Sequence, residues 1–320
     1  KTKKSKLSNF KNKLDFWATN SEEGGWNISS TDEGSQKMLE NENEKQIKIQ
    51  TGTEVVDDFV IEEETSDDER MIVNMGPQHP STHGVLRLQA ELEGEVVRRV
   101  KPIIGYLHTG MEKTGEELNY FQGPTNTTRM DYLSPLFNEL VFSLTTEKLI
   151  GIEVPKRAET IRILMTELNR VASHLVALAT GGMDIGALSM MIFGFREREL
   201  ILDFFEKTTG LRMNHNFIRP GGVAADLPDG WQKDVKEILK VIPEKLKDYD
   251  DMLLDNPIWK GRLQNVGILT TEECFAYGIT GPSLRASGYS WDLRKSQPYS
   301  GIENYDFDIP ILNEGDVFAR

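Results

Sequence analysis

The sequence predicts an α+β fold that is mostly helical and begins with a β-rich portion. Leu86, Leu88, Ala90 and Leu92 alternate with polar residues, which is the period of a half-buried strand. Farther along the chain, apolar residues recur at spacings of three and four, as they do on the buried face of a helix. No internal repeat is visible, so a single α+β arrangement is expected.

The β-rich portion is predicted to contain a hairpin. Glu93-Gly94 supplies a tight turn after the first strand, and residues 96–100 return as the second strand. The folded part of the chain is therefore expected to begin near Arg70.

Two long helices are predicted after the hairpin. The first begins at Pro155, because proline suits the first turn of a helix, and is expected to end at Gly181. The second runs from about Ala187 to Thr209 and is closed by Gly210.

A third helix and a short fourth one follow. Pro243 is expected to kink the third, because proline removes a backbone donor. Thr270 and Glu273 have the spacing of a capping box at the start of a short helix that includes Cys274. The apolar face of the third helix is predicted to comprise Trp231, Val235, Ile238, Ile242, Leu246, Tyr249 and Leu253.

Composition excludes several classes of protein. Of the 320 residues 38% are hydrophobic, enough for a core, and the formal charge is −14. Such a charge argues against a nucleic-acid binder and against broad adhesion to anionic lipid. The single cysteine, Cys274, excludes an internal disulfide and a thiolate metal site.

The first 70 residues differ from the rest. Lysines crowd the beginning and an acidic run, residues 62–69, closes the stretch. Too few apolar residues occur to offset the entropy of ordering, so residues 1–70 are predicted to be a disordered or partner-dependent arm.

Polar segments next to the predicted elements hold the candidate functional residues. His79 and His83 lie in a loop that Pro77 and Pro80 keep from being helical, so the loop either aims a histidine into a cavity or is a rigid turn. Tyr132 follows Arg129 and Asp131. It is either a proton donor to a carbonyl ligand or a core tyrosine beside an Arg–Asp pair.

Further candidates lie between the helices. Asp184, in a glycine-flanked segment, is either a helix N-cap or the partner of a buried histidine. Residues 212–222 and 284–295 are predicted to be surface or interface loops. Neither matches a P-loop or a dinucleotide fingerprint, so the chain is not expected to bind NADH itself.

Taken in order, these segments make the chain similar to the D-type, quinone-site subunits of bacterial respiratory complex I. The resemblance covers residues 71–320 and rests on the sequence motifs GPQHPSTHGVLRL, GYLHTGMEK, RMDYLSP, ELNRVASHL, FRERE, RPGGV and WDLRKSQPYSG. The family continues beyond the position of Arg320, so we expect the domain of residues 71–320 to be truncated at its C-terminal side.

The resemblance implies a mostly helical fold like that of the [NiFe]-hydrogenase large subunit. Arg129 matches the arginine of that enzyme's metal-binding segment, Asp131 and Ser134 match its two cysteines, and Asn138 matches its histidine. Because hard oxygen groups replace soft thiolates, no metal is expected on this chain.

In this family the vacated metal cavity holds a quinone headgroup. The resemblance implies that Tyr132 and His83 hydrogen-bond the quinone and that His79 shapes the same loop. Asp184 would pair with His83, which makes His83, Tyr132 and Asp184 the expected catalytic residues.

The resemblance also implies an electron source in a neighbouring protein of the complex, a [4Fe–4S] cluster that Thr109, Arg129 and Asn214 would face. Many relatives carry arginine and histidine where this chain has Thr109 and Asn214. We therefore expect a lower cluster potential and a low-potential quinone such as menaquinone.

The implied function is proton-translocating NADH:quinone oxidoreduction at the cytoplasmic face of the bacterial plasma membrane, with this chain as a peripheral subunit. The expected partners are the B-type iron–sulfur subunit, the C-type subunit, the H-type membrane subunit and the I-type ferredoxin-like subunit. The alternatives are a ferredoxin-dependent relative and a scaffold protein without chemistry of its own.

Overall fold

The computed structural model describes residues 70–79, 82 and 85–320 and confirms an α+β fold. The arm predicted over residues 1–70 lies, except for Arg70, outside the described residues. The strands are β1 (Arg70–Met75), β2 (Arg87–Glu93), β3 (Val96–Ile103), β4 (Ile218–Arg219) and β5 (Gly222–Val223). The helices are α1 (Met111–Glu117), α2 (Gly123–Thr127), α3 (Pro135–Ile150), α4 (Lys156–Asp184), α5 (Ser189–Thr209), α6 (Trp231–Tyr249), α7 (Pro257–Leu263), α8 (Thr271–Ala276), α9 (Gly281–Ala286) and α10 (Leu293–Ser296).

The predicted hairpin forms the second and third strands of a three-stranded antiparallel sheet in the order β1-β2-β3. The strand β1 was not predicted, and β3 extends beyond residue 100 to Ile103. Leu92 pairs with Met71 and Val97, and a register shift next to Leu92 keeps apolar residues of all three strands on one face.

The long helices α4 and α5 pack closely along their length because glycines face their partners. An added Cβ at Gly182 would lie 2.6 Å from the Cβ of Met190, and one at Gly194 would lie 2.7 Å from the Cβ of Ala179. The prediction that α4 ends at Gly181 is wrong, since the helix continues to Asp184. The next residue, Gly182, packs against Met190, and this helix contact carries α4 through both glycines.

The helix α6 has the predicted amphipathic character and contains Pro243. A wide helical turn, Asp250–Leu254, follows it directly. The prediction for Leu246 is wrong, because that side chain is exposed. The capping box of Thr270 and Glu273 at α8 is confirmed.

The hydrophobic core lies among α3, α4, α5 and α6. Its fully buried members include Leu136, Met165, Met190, Ile201, Phe205, Phe217 and Ile218.

The helix α3 adds two buried carboxylates to this core. Glu147 forms a two-point ion pair with the guanidinium of Arg162, at 2.5 and 3.1 Å, and accepts the backbone N–H of Gly221 at 2.8 Å. Arg162 also donates to the carbonyls of Arg219 and Gly222. This network fixes the small β4–β5 hairpin against α3 and α4.

The second carboxylate, Glu139, organises the segment just before that hairpin. It accepts the backbone N–H groups of Asn216, Phe217 and Ile218 at 2.7–2.9 Å and the hydroxyl of Thr128 at 2.6 Å. Burial holds the pKa of Glu139 above its ordinary value, although the four donated hydrogen bonds lower it. Glu139 thereby joins three separate parts of the chain.

Replacing Gly194 by alanine should destabilise the protein by about 1–3 kcal/mol, because the new methyl group meets Ala179 and the carbonyl of Leu175. Gly181→Ala is the matched control. It lies in the same helix pair with open space around the added Cβ, so it should be neutral or stabilising by up to about 1 kcal/mol. Urea unfolding of both variants measures the difference. Equal effects would show that the close approach does not limit packing.

Glu139→Gln should lower the free energy of unfolding by about 3 kcal/mol, because the amide NH₂ must face donors that the carboxylate now accepts. Thr128→Val removes one donor and should cost about 1 kcal/mol. The two changes are compared by urea unfolding at neutral pH. A Glu139→Gln variant as stable as the parent would contradict the anchoring role of this carboxylate.

Candidate functional site

Tyr132 lies in the turn between α2 and α3 with 47% of its side chain exposed. Within the described residues its hydroxyl makes no hydrogen bond, so it is available to a ligand. The alternative of a core tyrosine beside an Arg–Asp pair is wrong. Arg129 donates to the carbonyl of Thr125, and Asp131 accepts the N–H of Leu133 at 3.1 Å.

Two asparagines fix the backbone on either side of Tyr132. Asn138 donates to the carbonyl of Asp131 at 3.0 Å, and Asn169 of α4 donates to the carbonyl of Leu133 at 2.9 Å. Asn169 also accepts the N–H of Leu136 at 3.2 Å. Sequence reasoning missed the role of Asn169. The signal for it was a polar residue within the apolar stripe of a helix.

The three residues expected to face an iron–sulfur cluster lie on segments that hydrogen bonds connect. Thr109 is exposed just before α1, whose first carbonyl accepts a hydrogen bond from Asn126 of α2 at 3.0 Å. Arg129 follows α2 and is exposed. It is next to Thr128, which Glu139 ties to the segment that carries Asn214.

Asn214 has a left-handed backbone (φ 54°), and its buried side-chain oxygen has no hydrogen bond within the described part of the chain. The neighbouring His215 is 4% exposed and packs edge-on against Phe205. Its Nδ1 lies 3.0 Å from the carbonyl of Leu211, an acceptor, which assigns the proton to Nδ1. Burial lowers the pKa of His215 to about 4, so the ring is neutral at pH 7.

Asp184 is the last residue of α4 and is exposed. The alternative that it caps the next helix is wrong, because α5 has no side-chain cap at its first turn. His79 lies in the loop between β1 and β2, where its carbonyl accepts the N–H and the hydroxyl of Thr82 at 3.2 and 3.3 Å. His83 lies outside the described residues, so its pairing with Asp184 stays a prediction.

The prediction that residues 212–222 and 284–295 are surface or interface loops is wrong for part of each segment. Phe217 and Ile218 are buried, and residues 281–286 form α9 with Leu284 and Ala286 buried. Hydrogen bonds with buried backbone groups, which sequence periodicity does not reveal, explain why parts of these polar segments are buried.

The end of the second segment is held by an ion pair. Asp292 caps α10 and pairs with Arg294 at 2.8 Å. The hydrogen bond from that guanidinium lowers the pKa of Asp292 to about 2, so the carboxylate is charged at neutral pH.

Potential metal ligands are dispersed. Across residues 70–79, 82 and 85–320, no three His, Cys, Asp or Glu side chains come together in a way that suits a metal ion. Among the described helices, none is long and apolar enough to cross a membrane.

Stability should fall as pH drops from about 6.5 to 4, because His215 binds a proton in the unfolded chain before it does so in the folded one. The loss assigned to His215 is at most about 3 kcal/mol. His215→Phe should show a correspondingly weaker pH dependence in urea unfolding between pH 7 and 4. Parallel curves for the two proteins would contradict the burial of a neutral ring.

Comparison with known proteins finds a matching family model and similar chains. The family model described as "Respiratory-chain NADH dehydrogenase, 49 Kd subunit" matches residues 184–320. The chain is 58% identical over 255 residues to a D-type subunit of the NADH-quinone oxidoreductase of Salinispora arenicola, covering 79% of this chain and 58% of the relative. It is 59% identical over 255 residues to the D-type subunit of Rhodococcus jostii, with the same coverage.

A third relative extends the match. The D-type subunit of Mycobacteroides abscessus is 55% identical over 277 residues, which are 86% of this chain and 64% of the relative. The chain therefore spans about three fifths of the length of these curated relatives. Over most of its length the chain is thus similar to the 49 kDa, or D-type, subunits of respiratory NADH–quinone oxidoreductase.

Proposed function

We propose that this chain forms the quinone-reduction site of a proton-translocating NADH:quinone oxidoreductase. The observation that carries the proposal is its identity of 55–59% with proteins named as the D-type subunit of that enzyme. The exposed Tyr132 hydroxyl, held in a turn that two asparagines fix, adds a chemical group suited to a carbonyl ligand.

The chemistry requires donors beside the ligand. A quinone takes up two electrons and two protons to become a quinol, and negative charge develops on its oxygens. In the proposal the phenol of Tyr132 donates to one oxygen and the imidazole of His83 donates to the other. Asp184 orients that imidazole and favours its charged form. His79 shapes the loop that carries His83.

The exposed face of α4 provides a surface between these groups. Ser134 and Ser173, near Tyr132, lie 3.5 Å apart, and Asp184 lies about 16 Å farther along the same helix. Between them Ala177 is exposed, and an added Cβ at Gly181 would meet open space. A flat apolar ring suits this stretch, with polar groups at its two ends.

The two electrons come from outside this chain in the proposal. The described residues hold no grouping suited to a metal, and Cys274 is single and buried. These features fit a [4Fe–4S] cluster held by a neighbouring protein of the complex, with Thr109, Arg129 and Asn214 toward it. The uncharged Thr109 and Asn214 favour a low-potential quinone such as menaquinone.

The assembly follows from the same proposal. The chain is a peripheral subunit on the cytoplasmic face of the bacterial plasma membrane and contacts the B-type, C-type, H-type and I-type subunits. Its fold over residues 71–320 is that of the [NiFe]-hydrogenase large subunit, with Asp131, Ser134 and Asn138 at the former metal positions. Residues 1–70 remain a predicted arm.

Tyr132→Phe in the full-length protein should lower NADH:quinone reductase activity of membranes at least about tenfold, because a proton donor at the quinone is lost. NADH:ferricyanide reductase activity, which does not use the quinone site, should be retained. His83→Ala should behave in the same way. Tyr277→Phe is the matched control, since that tyrosine is also exposed but lies outside the proposed site.

The pair of assays separates the possible results. Loss of quinone reduction alone supports the assignment. Full activity of Tyr132→Phe in both assays would contradict it and favour a scaffold protein. Loss of both activities with Tyr132→Phe, but not with Tyr277→Phe, would mean that Tyr132 supports assembly, which also contradicts its catalytic role.

A further inference from the structure

Arg198 of α5 is a buried cation that forms no ion pair within the described part of the chain. The residue is 7% exposed, and its Nε is buried without a hydrogen bond there. One terminal nitrogen donates to the sulfur of Met213 at 3.3 Å, and the guanidinium lies 5.6 Å from the centre of the Phe195 ring. Across the described residues no carboxylate forms an ion pair with Arg198.

The contrast with Arg162 shows that this arrangement is unusual within the same molecule. The guanidinium of Arg162 is fully buried and meets the two oxygens of Glu147 and two backbone carbonyls. Burial lowers the pKa of Arg198, although the nearby charge of Glu199 raises it, and the Glu199 carboxylate forms its ion pair with Arg212. A buried charge is costly unless it is paired, so a missing partner is expected from outside the described residues.

The surroundings of Arg198 show what kind of partner fits. Leu188 directly precedes α5, and Ile192, Phe195 and Arg198 follow it at spacings of four, three and three, which places them on one side of the helix. We call these four residues the α5 stripe. Its apolar members are exposed, Ile192 by 73%, and Met213 beside it is also exposed. Aromatic, methionine and arginine side chains together are typical of the centres of protein interfaces.

We propose that the α5 stripe is a docking surface for a segment of another protein of the complex that carries one aspartate or glutamate. The segment lays apolar side chains on Leu188, Ile192 and Phe195 and places its carboxylate against Arg198. Charge complementarity selects a carboxylate, because Arg198 is the charged member of the stripe and forms no ion pair among the described residues. Taking the segment from the same complex rests on the proposed function.

A neighbouring orphan acceptor agrees with an incoming peptide. Asn214 follows Met213, and its buried side-chain oxygen has no hydrogen bond among the described residues. A backbone N–H of the docked segment would satisfy this oxygen while the carboxylate reaches Arg198. A purely apolar partner would satisfy neither group.

The first test separates docking from internal stability, using the full-length protein. Arg198→Met should leave the thermal midpoint of the isolated protein unchanged or raise it, because an uncompensated buried charge is removed. Its affinity for the complex depleted of this chain should fall at least about tenfold, the order expected for loss of a charged hydrogen-bonded pair. Arg157→Met is the matched control, since Arg157 has its own partner, Asp226, on the surface.

A lower thermal midpoint for Arg198→Met together with unchanged affinity would overturn the proposal, because Arg198 would then serve the fold alone. Unchanged midpoint and unchanged affinity would overturn it equally. NADH:quinone activity per assembled complex should stay normal in this variant. The outcome is therefore independent of the Tyr132 assays that test the proposed function.

The second test identifies the occupant. A benzophenone amino acid replaces Ile192, and the assembled complex is irradiated and analysed by mass spectrometry. A crosslink to a segment of another protein of the complex with an Asp or Glu nearby supports the proposal, and exchanging that acid for arginine should rescue Arg198→Glu. A crosslink to a second copy, to residues beyond Arg320 of the same chain, or to no protein would overturn it.

Discussion

The arrangement of this protein depends on two carboxylates buried along one helix. Glu139 and Glu147 of α3 are excluded from water, so each must be met by donors inside the protein. Their donors come from the segment of residues 216–221, from Thr128 and from Arg162. The requirement for donors therefore determines where the connecting segments run. The segments that carry Arg129 and Asn214 are held by these same hydrogen bonds.

The same constraint explains what periodicity could and could not predict. The hairpin at Gly94, the helices around α4 and α5 and the capping box at Thr270 were predictable, because local spacing and end signals determine them. Glu139, Asn169 and Arg162 were not. Their partners lie more than thirty residues away in several cases, and no local pattern identifies a distant backbone donor.

The candidate site contains features that the sequence could predict and others that it could not. The turn of Tyr132 and the segment of Asn214 were identified by their residue types, but their placement on segments joined through Glu139 emerged only from the structure. The polar segments around Ile218 and Leu284 were predicted to lie nearer the surface than they do. Hydrogen bonding to the backbone makes a polar sequence compatible with burial. The chemical type of the candidate residues was thus easier to predict from the sequence than their burial.

The close contact of α4 with α5 has a consequence for Asp184. Gly182, two residues before Asp184 in the sequence, lies directly against Met190. Gly186 follows the helix with a φ of 100°. The close packing of α4 against α5 holds the backbone at Asp184, while the Asp184 side chain remains at the surface. The position of the Asp184 carboxylate is therefore set by the packing of two helices against each other and not by a side-chain cap on α5.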